Sequence, residues 1–288
     1  MRLGYNEATC MENSSLEQDL ILCEKYGYDD IELRIDMLEA YLQTHTVEDL
    51  QAFFSASHVK PFSINAIDYI NFTSPAQWEE VRRQALFSCR VARRIGCRYL
   101  IVCPSKADTY FTKTEQEVFN DTVSVLCRLS DLAGPYGVSI AFEPVGDRRW
   151  CCNSLRFATE IVNAVDRDNV GLTVDCINFY MHDKCADMAS IRNIPRGKLF
   201  IYHINDCEDR PFGVLDHCHR IMPGKGCIPV AEITEAVQSA GYDGPACLEL
   251  FRPAYWAMEA DAVFRLGACC TRPFLRQARA PQKQKPNY

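Results

Sequence analysis

The sequence predicts an α/β protein folded as a single (β/α)8 barrel. Eight short β-rich runs alternate with longer amphipathic stretches from the first residue to about residue 275. The 288 residues divide into eight units of about 36, enough for one strand, one helix and two loops. A glycine also stands at four places where a helix should end, just before the next strand.

Run 2–6 (RLGYN) opens the barrel, and Leu16, Leu20 and Cys23 repeat at helical spacing before the stop Lys25-Tyr-Gly27. Run 30–34 (DIELR) is the second strand, followed by a helical region that carries His45 and, beside it, His58. Run 61–65 (PFSIN) is the third, and Arg94-Ile-Gly96 closes the helix after it. Run 99–103 (YLIVC) leads to a helix marked by Val118, Val125, Leu126 and Leu129, which stops at Pro135-Tyr-Gly137. Runs 138–143, 170–175 and 199–203 are the fifth to seventh strands; run 246–251 is the eighth and follows Ser239-Ala-Gly241. Closure removes both sheet edges, which an open doubly wound sheet, the alternative, would leave exposed. No Gly-x-Gly-x-x-Gly follows the first strand and no Walker-type loop occurs, so a nucleotide-binding open sheet lacks its main support. The barrel is assigned to residues 1–275. The tail 276–288 is polar, basic and proline-broken, and is expected to be disordered.

Composition narrows the partners. A net charge of −7 argues against a nucleic-acid partner, and no apolar run approaches the length that crosses a bilayer. The 16 cysteines include no Cys-x-x-Cys pair and no signal peptide precedes them, so they read as reduced cytosolic thiols, mostly small buried hydrophobes. A soluble, cytoplasmic protein with a small-molecule ligand is expected, and a homo-oligomer is left open.

In such a barrel, chemistry belongs at the C-terminal ends of the strands. There the fifth strand ends in Glu143, the sixth in Asp175, the seventh in His203, and the eighth holds Glu249. Alone, each reads as a cap, a surface charge or a hydrogen-bonded histidine. On four consecutive strands they form one layer. Three carboxylates in an apolar-walled mouth repel one another unless a cation lies between them. Two Glu, one Asp and one imidazole make an oxygen-rich set suited to one divalent ion. Mn²⁺ is the expected ion; Mg²⁺, Co²⁺, Fe²⁺ and Zn²⁺ are also admitted. Of the other histidines, His45 and His58 read as surface residues, and His182, His217 and His219 as parts of solvated loops.

The ordered set Glu143, Asp175, His203, Glu249 resembles that of the xylose isomerase-like barrels, which include ketose 3-epimerases, hydroxypyruvate isomerases and inosose isomerases. Asn6-Glu-Ala-Thr, Asp166-Arg-Asp-Asn-Val-Gly-Leu, Ile201-Tyr-His-Ile-Asn-Asp, Pro223-Gly-Lys-Gly and Glu249-Leu-Phe-Arg-Pro look like the inosose isomerases of myo-inositol catabolism, and the likeness spans about residues 1–275.

The resemblance implies a metal-assisted isomerisation that moves the carbonyl of 2-keto-myo-inositol to the neighbouring carbon through an ene-diolate. Glu143 and Glu249 would then be base and acid, and Asp175 and His203 mainly metal ligands. Asn6, Glu7, Arg34, Asn178, Asp206 and Arg252 are the substrate-contact candidates, each with a plainer reading as a strand-end cap or a salt bridge. Asp206 could instead orient the imidazole. Pro223–Gly226 reads as a loop that closes over the site or as a surface turn, and Trp78 and Trp256 as stacking or packing residues. Asn178 departs from the family, which commonly carries a substrate-contacting His there; Asn cannot carry a proton near neutral pH. The alternatives are a ketose or keto-glycoside 3-epimerase using the same metal and glutamates, and a metal-free scaffold barrel.

Overall fold

Polar caps and left-handed turns cut the chain into its elements. Ser15, Thr46, Ser74, Thr114 and Ser154 each accept the amide of the residue three positions on. The backbone amides of Thr46, Ser74 and Thr114 donate in return to the side-chain oxygens of Asp49, Gln77 and Glu117. Each cap contributes about 1 kcal/mol to its helix. Gly27 and Gly96 end helices at φ of +67° and +80°, where any side chain would be strained.

The structure, a computed structural model, describes residues 1–107 and 111–275; the tail expected to be disordered lies outside these. Along the chain the elements are β1 Arg2–Asn6, α1 Leu16–Tyr26, β2 Asp30–Arg34, α2 Ile35–Tyr41, α3 Val47–Ala56, β3 Lys60–Ile67 and α4 Pro75–Ile95. Then come β4 Tyr99–Val102, α5 Glu115–Ala133, β5 Ser139–Phe142, α6 Leu155–Val165, β6 Val170–Asp175, α7 Cys176–Asp183, α8 Met188–Arg192 and β7 Leu199–Ile204. The last are β8 Asp206–Cys207, β9 Arg220–Ile221, α9 Val230–Ser239, β10 Pro245–Leu248, α10 Pro253–Trp256 and α11 Ala260–Leu275.

Eight of these strands, β1 to β7 and β10, pair in parallel and close into a barrel, with β10 between β7 and β1. The outer faces pack on the helices: Tyr5 of β1 stacks on Phe264 of α11 at 4.0 Å. The inner faces meet in a cluster of their own, in which Phe62, Ile101, Ala141, Ile201 and Cys247 come from five different strands.

All eight runs read from the sequence are strands, with ends moved by one or a few residues. β5 ends at Phe142 and β10 at Leu248, so Glu143 and Glu249 stand one residue beyond their strands. Two short helices, α2 and α3, follow β2 where one helical region was expected. The two-stranded antiparallel ribbon β8–β9 inside the long connection after β7 was not anticipated, because two residues are too few for an alternation to show.

Candidate active site

Each functional side chain is delivered by a strand end. Asp175 closes β6 and lies directly opposite His203 of β7 in the parallel register. Glu143 extends the ladder one step beyond β5, its amide donating to Val102 O at 3.0 Å. The four groups converge, with one ligand atom from each of Glu143, Asp175, His203 and Glu249 lying within 4.8 Å of the others.

His203 sets the polarity of the site. Its Nε2 lies 2.8 Å from Glu32 Oε2, and a carboxylate accepts, so the proton belongs on Nε2. Nδ1 then presents a lone pair, without any hydrogen-bond partner, to Glu249 Oε2 at 3.2 Å, Glu143 Oε2 at 3.4 Å and Asp175 Oδ2 at 3.9 Å. A buried lone pair facing three carboxylate oxygens is stable only with a cation among them, and the donor set fits a divalent ion. Glu32 plays the outer partner's part, fixing tautomer and ring orientation.

Amides aim the carboxylates. Glu249 Oε1 accepts from Asn6 Nδ2 at 3.0 Å and Asn65 Nδ2 at 2.8 Å. Asn178 Nδ2 donates to Glu143 Oε1 at 2.9 Å, and Asn205 Nδ2 to Asp175 Oδ2 at 2.6 Å. Arg220, fully buried, binds the Glu249 carboxylate and reaches Asp175 Oδ2 at 3.2 Å, with its guanidinium 5.1 Å from the Phe251 ring. If all ionise, Glu32, Glu143, Asp175 and Glu249 oppose this one fixed cation, leaving a surplus of three negative charges.

Without a metal ion, protons must relieve that surplus. Burial, reinforced by Glu249 and Asp175 and opposed by His203, pushes Glu143 up to about 7. Burial alone would raise Glu249 as well, but His203 and Arg220 hold it well below the usual carboxylate range. Burial works against a charged His203, yet Glu249, Glu32 and Glu143 outweigh it and raise its value. A proton and a metal ion are therefore alternative occupants of Nδ1.

Above this floor opens a cavity of about 450 Å³ whose lining includes Arg34, Asp36, Asp68, Trp150, His217 and Phe251. Trp150 stacks on Tyr69 at 5.6 Å with the rings 7° from parallel. Arg34 forks onto Asp36 at 3.0 and 2.8 Å.

Of the substrate-contact candidates, Arg34 is among the residues that line the cavity and the other five are not. Asn6 donates to Glu32 and Glu249, and Asn178 stands behind Glu143. Glu7 is fully buried and accepts the Arg34 amide at 2.6 Å. Asp206 accepts the amides of Gly226 and Ile228, so it fastens the Pro223–Gly226 turn instead of turning toward the imidazole. Arg252 pairs with Glu208 at 2.6 Å.

His217, expected in a solvated loop, is half-buried against Phe251 and lines the cavity; burial and the Arg220 charge lower it to about 4, so it is neutral. Trp256 donates to Ala8 O at 3.1 Å and Trp78 lies under Arg128; the cavity tryptophan is Trp150. Glu32, Asn65, Asn205, Trp150 and Arg220 were not anticipated. Glu32 had a signal, an acid set between the apolar Ile31 and Leu33 in mid-strand; Arg220 had none, since its place depends on the ribbon.

Residues 20–267 match the family model described as xylose isomerase-like TIM barrel. The chain belongs to that family. It is similar to the inosose isomerase of Bacillus velezensis, with 38% identity over 92% of this chain and 94% of that protein. The inosose isomerase of Bacillus subtilis is 38% identical over 91% of this chain and 93% of its own. A crystal structure of the IolI protein with a bound zinc atom superimposes with a TM-score of 0.91 at 36% identity, covering 96% of this chain and 98% of that one.

Proposed function

We propose that the protein is an inosose isomerase, converting 2-keto-myo-inositol to 1-keto-D-chiro-inositol by moving the carbonyl to the neighbouring ring carbon, in the cytoplasm. The observation that carries this reading is the pair Glu143 and Glu249, 3.4 and 3.2 Å from one imidazole nitrogen at the floor of one cavity. Their kinship with inosose isomerases supports the choice of substrate.

Glu143, Asp175, His203 and Glu249 would hold a divalent ion, Mn²⁺ in our reading, which would supply Lewis-acid stabilisation of charge on the ketone oxygen. Glu249, paired with the Arg220 guanidinium, is suited to take the proton from the carbon beside the carbonyl. Glu143, held by the Asn178 amide through Oε1, is suited to return a proton to the next carbon. Arg220 keeps its positive charge beside both Glu249 and Asp175 as the ene-diolate forms. Neutral His217 and the face of Trp150 offer a hydroxyl partner and an apolar wall for the ring. The rim carries Asp36, Glu39 and Asp68, and Arg34 is already paired with Asp36, which favours an uncharged polyol over a phosphorylated one.

NMR of 2-keto-myo-inositol incubated with the protein and Mn²⁺ in D₂O tests the proposal. A shifted carbonyl with deuterium at one ring carbon is expected. Deuterium uptake without a shift would mean epimerisation, and no exchange would rule out this substrate.

A further inference from the structure

The turn 226–228 is laced to β8 by three hydrogen bonds. Gly226 N and Ile228 N donate to Asp206 at 2.7 and 2.9 Å, and Cys227 N donates to Cys207 O at 3.1 Å. Between the ends of this lacing the sulfurs of Cys207 and Cys227 lie 3.7 Å apart, both as free thiols. Cys207 is buried and Cys227 half-buried. Cys207 also stands directly opposite Arg220 in the β8–β9 ribbon, so the two cysteines bracket the loop that carries His217 and Arg220 to the cavity.

We propose that Cys207 and Cys227 are a peroxide-oxidisable dithiol, whose disulfide clasps this loop at its base. The Cys227 thiolate, the more accessible, attacks one oxygen of hydrogen peroxide; the O–O bond breaks and water leaves, giving a sulfenic acid. The sulfur of Cys207 then attacks the sulfenic sulfur, forming the S–S bond and expelling a second water. Two thiols lose two protons and two electrons, and one peroxide becomes two waters. A disulfide requires about 2.05 Å between sulfurs, so the pair must close by roughly 1.6 Å, within reach of side-chain rotation because the backbones are already tied. Burial, with Cys227 beside it, holds the Cys207 thiol well above its ordinary value, which makes it the resolving partner and not the first to react. This inference does not depend on the substrate assigned above.

The test is one equivalent of hydrogen peroxide added to the full-length, metal-loaded protein, followed by peptide mapping without reduction. A Cys207–Cys227 cross-link in most chains is expected, with two thiols lost and both restored by dithiothreitol. Closing a loop of this length should raise the unfolding midpoint by about 5 °C. Cys227→Ser should lose the cross-link and the rise in midpoint while keeping the activity of the reduced protein. Oxidation that stops at a sulfinic acid on Cys227, cross-links scattered over other cysteines, or a complete cross-link with no rise in midpoint would each overturn the proposal.

Discussion

At the scale of single residues, neutral amides decide how the charged groups work. Asn6, Asn65 and Asn178 each give a hydrogen bond to one oxygen of a glutamate and leave the other oxygen turned toward His203 Nδ1. A carboxylate so held serves as ligand and as proton carrier. Glu143→Gln and Glu249→Gln should each lower kcat by about 100-fold or more, read under saturating Mn²⁺, because each removes a positioned acid or base. Glu32→Gln should weaken metal affinity by about 10- to 100-fold through the freed imidazole, measured by competition with a chelating dye. Asn178→Ala should lower kcat with little change in KM, since the side chain holds Glu143 and does not line the cavity. The four converging residues were legible in the sequence because barrel geometry puts strand ends at one mouth. The second layer was less so. Asn6 and Asn178 read from the sequence only as substrate-contact candidates, because spacing shows that a side chain is near the mouth and not which neighbour it meets.

At the scale of elements, the departures from the sequence reading cluster in the connection after β7. The eight strands announce themselves by apolar runs and helix stops, and all eight form. The ribbon β8–β9 has no such signature; it exists because Asp206, buried, gathers the amides of residues 207, 226 and 228 on its carboxylate. Through the ribbon, Arg220 arrives among the carboxylates. Asp206→Ala leaves these amides without their acceptor and should cost about 2 kcal/mol of stability, with a parallel loss of activity as Arg220 drifts. Denaturant unfolding and kcat measured on one preparation check this; loss of activity at unchanged stability would show that Asp206 acts on substrate instead.

At the scale of the whole molecule, the barrel gathers more negative charge at one end than its own cations neutralise, and stability should reveal it. In the metal-free protein Glu143 is raised to about 7, above its unfolded value near 4.5, so the folded chain binds a proton that the unfolded chain lacks between those values. Its contribution therefore falls as pH rises through that window. Metal binding needs the carboxylate, so the rise in unfolding midpoint on adding Mn²⁺ should be larger at pH 8 than at pH 6. At about 100 times the dissociation constant, the ion should contribute about 2.7 kcal/mol. An equal or reversed difference would remove Glu143 from the ligand set. Anomalous scattering from crystals soaked in Mn²⁺ tests the metal centre most directly. One strong peak per chain is expected at bonding distance from Glu143, Asp175, His203 Nδ1 and Glu249; a peak elsewhere, or none at these four residues, would contradict a metal-dependent isomerase.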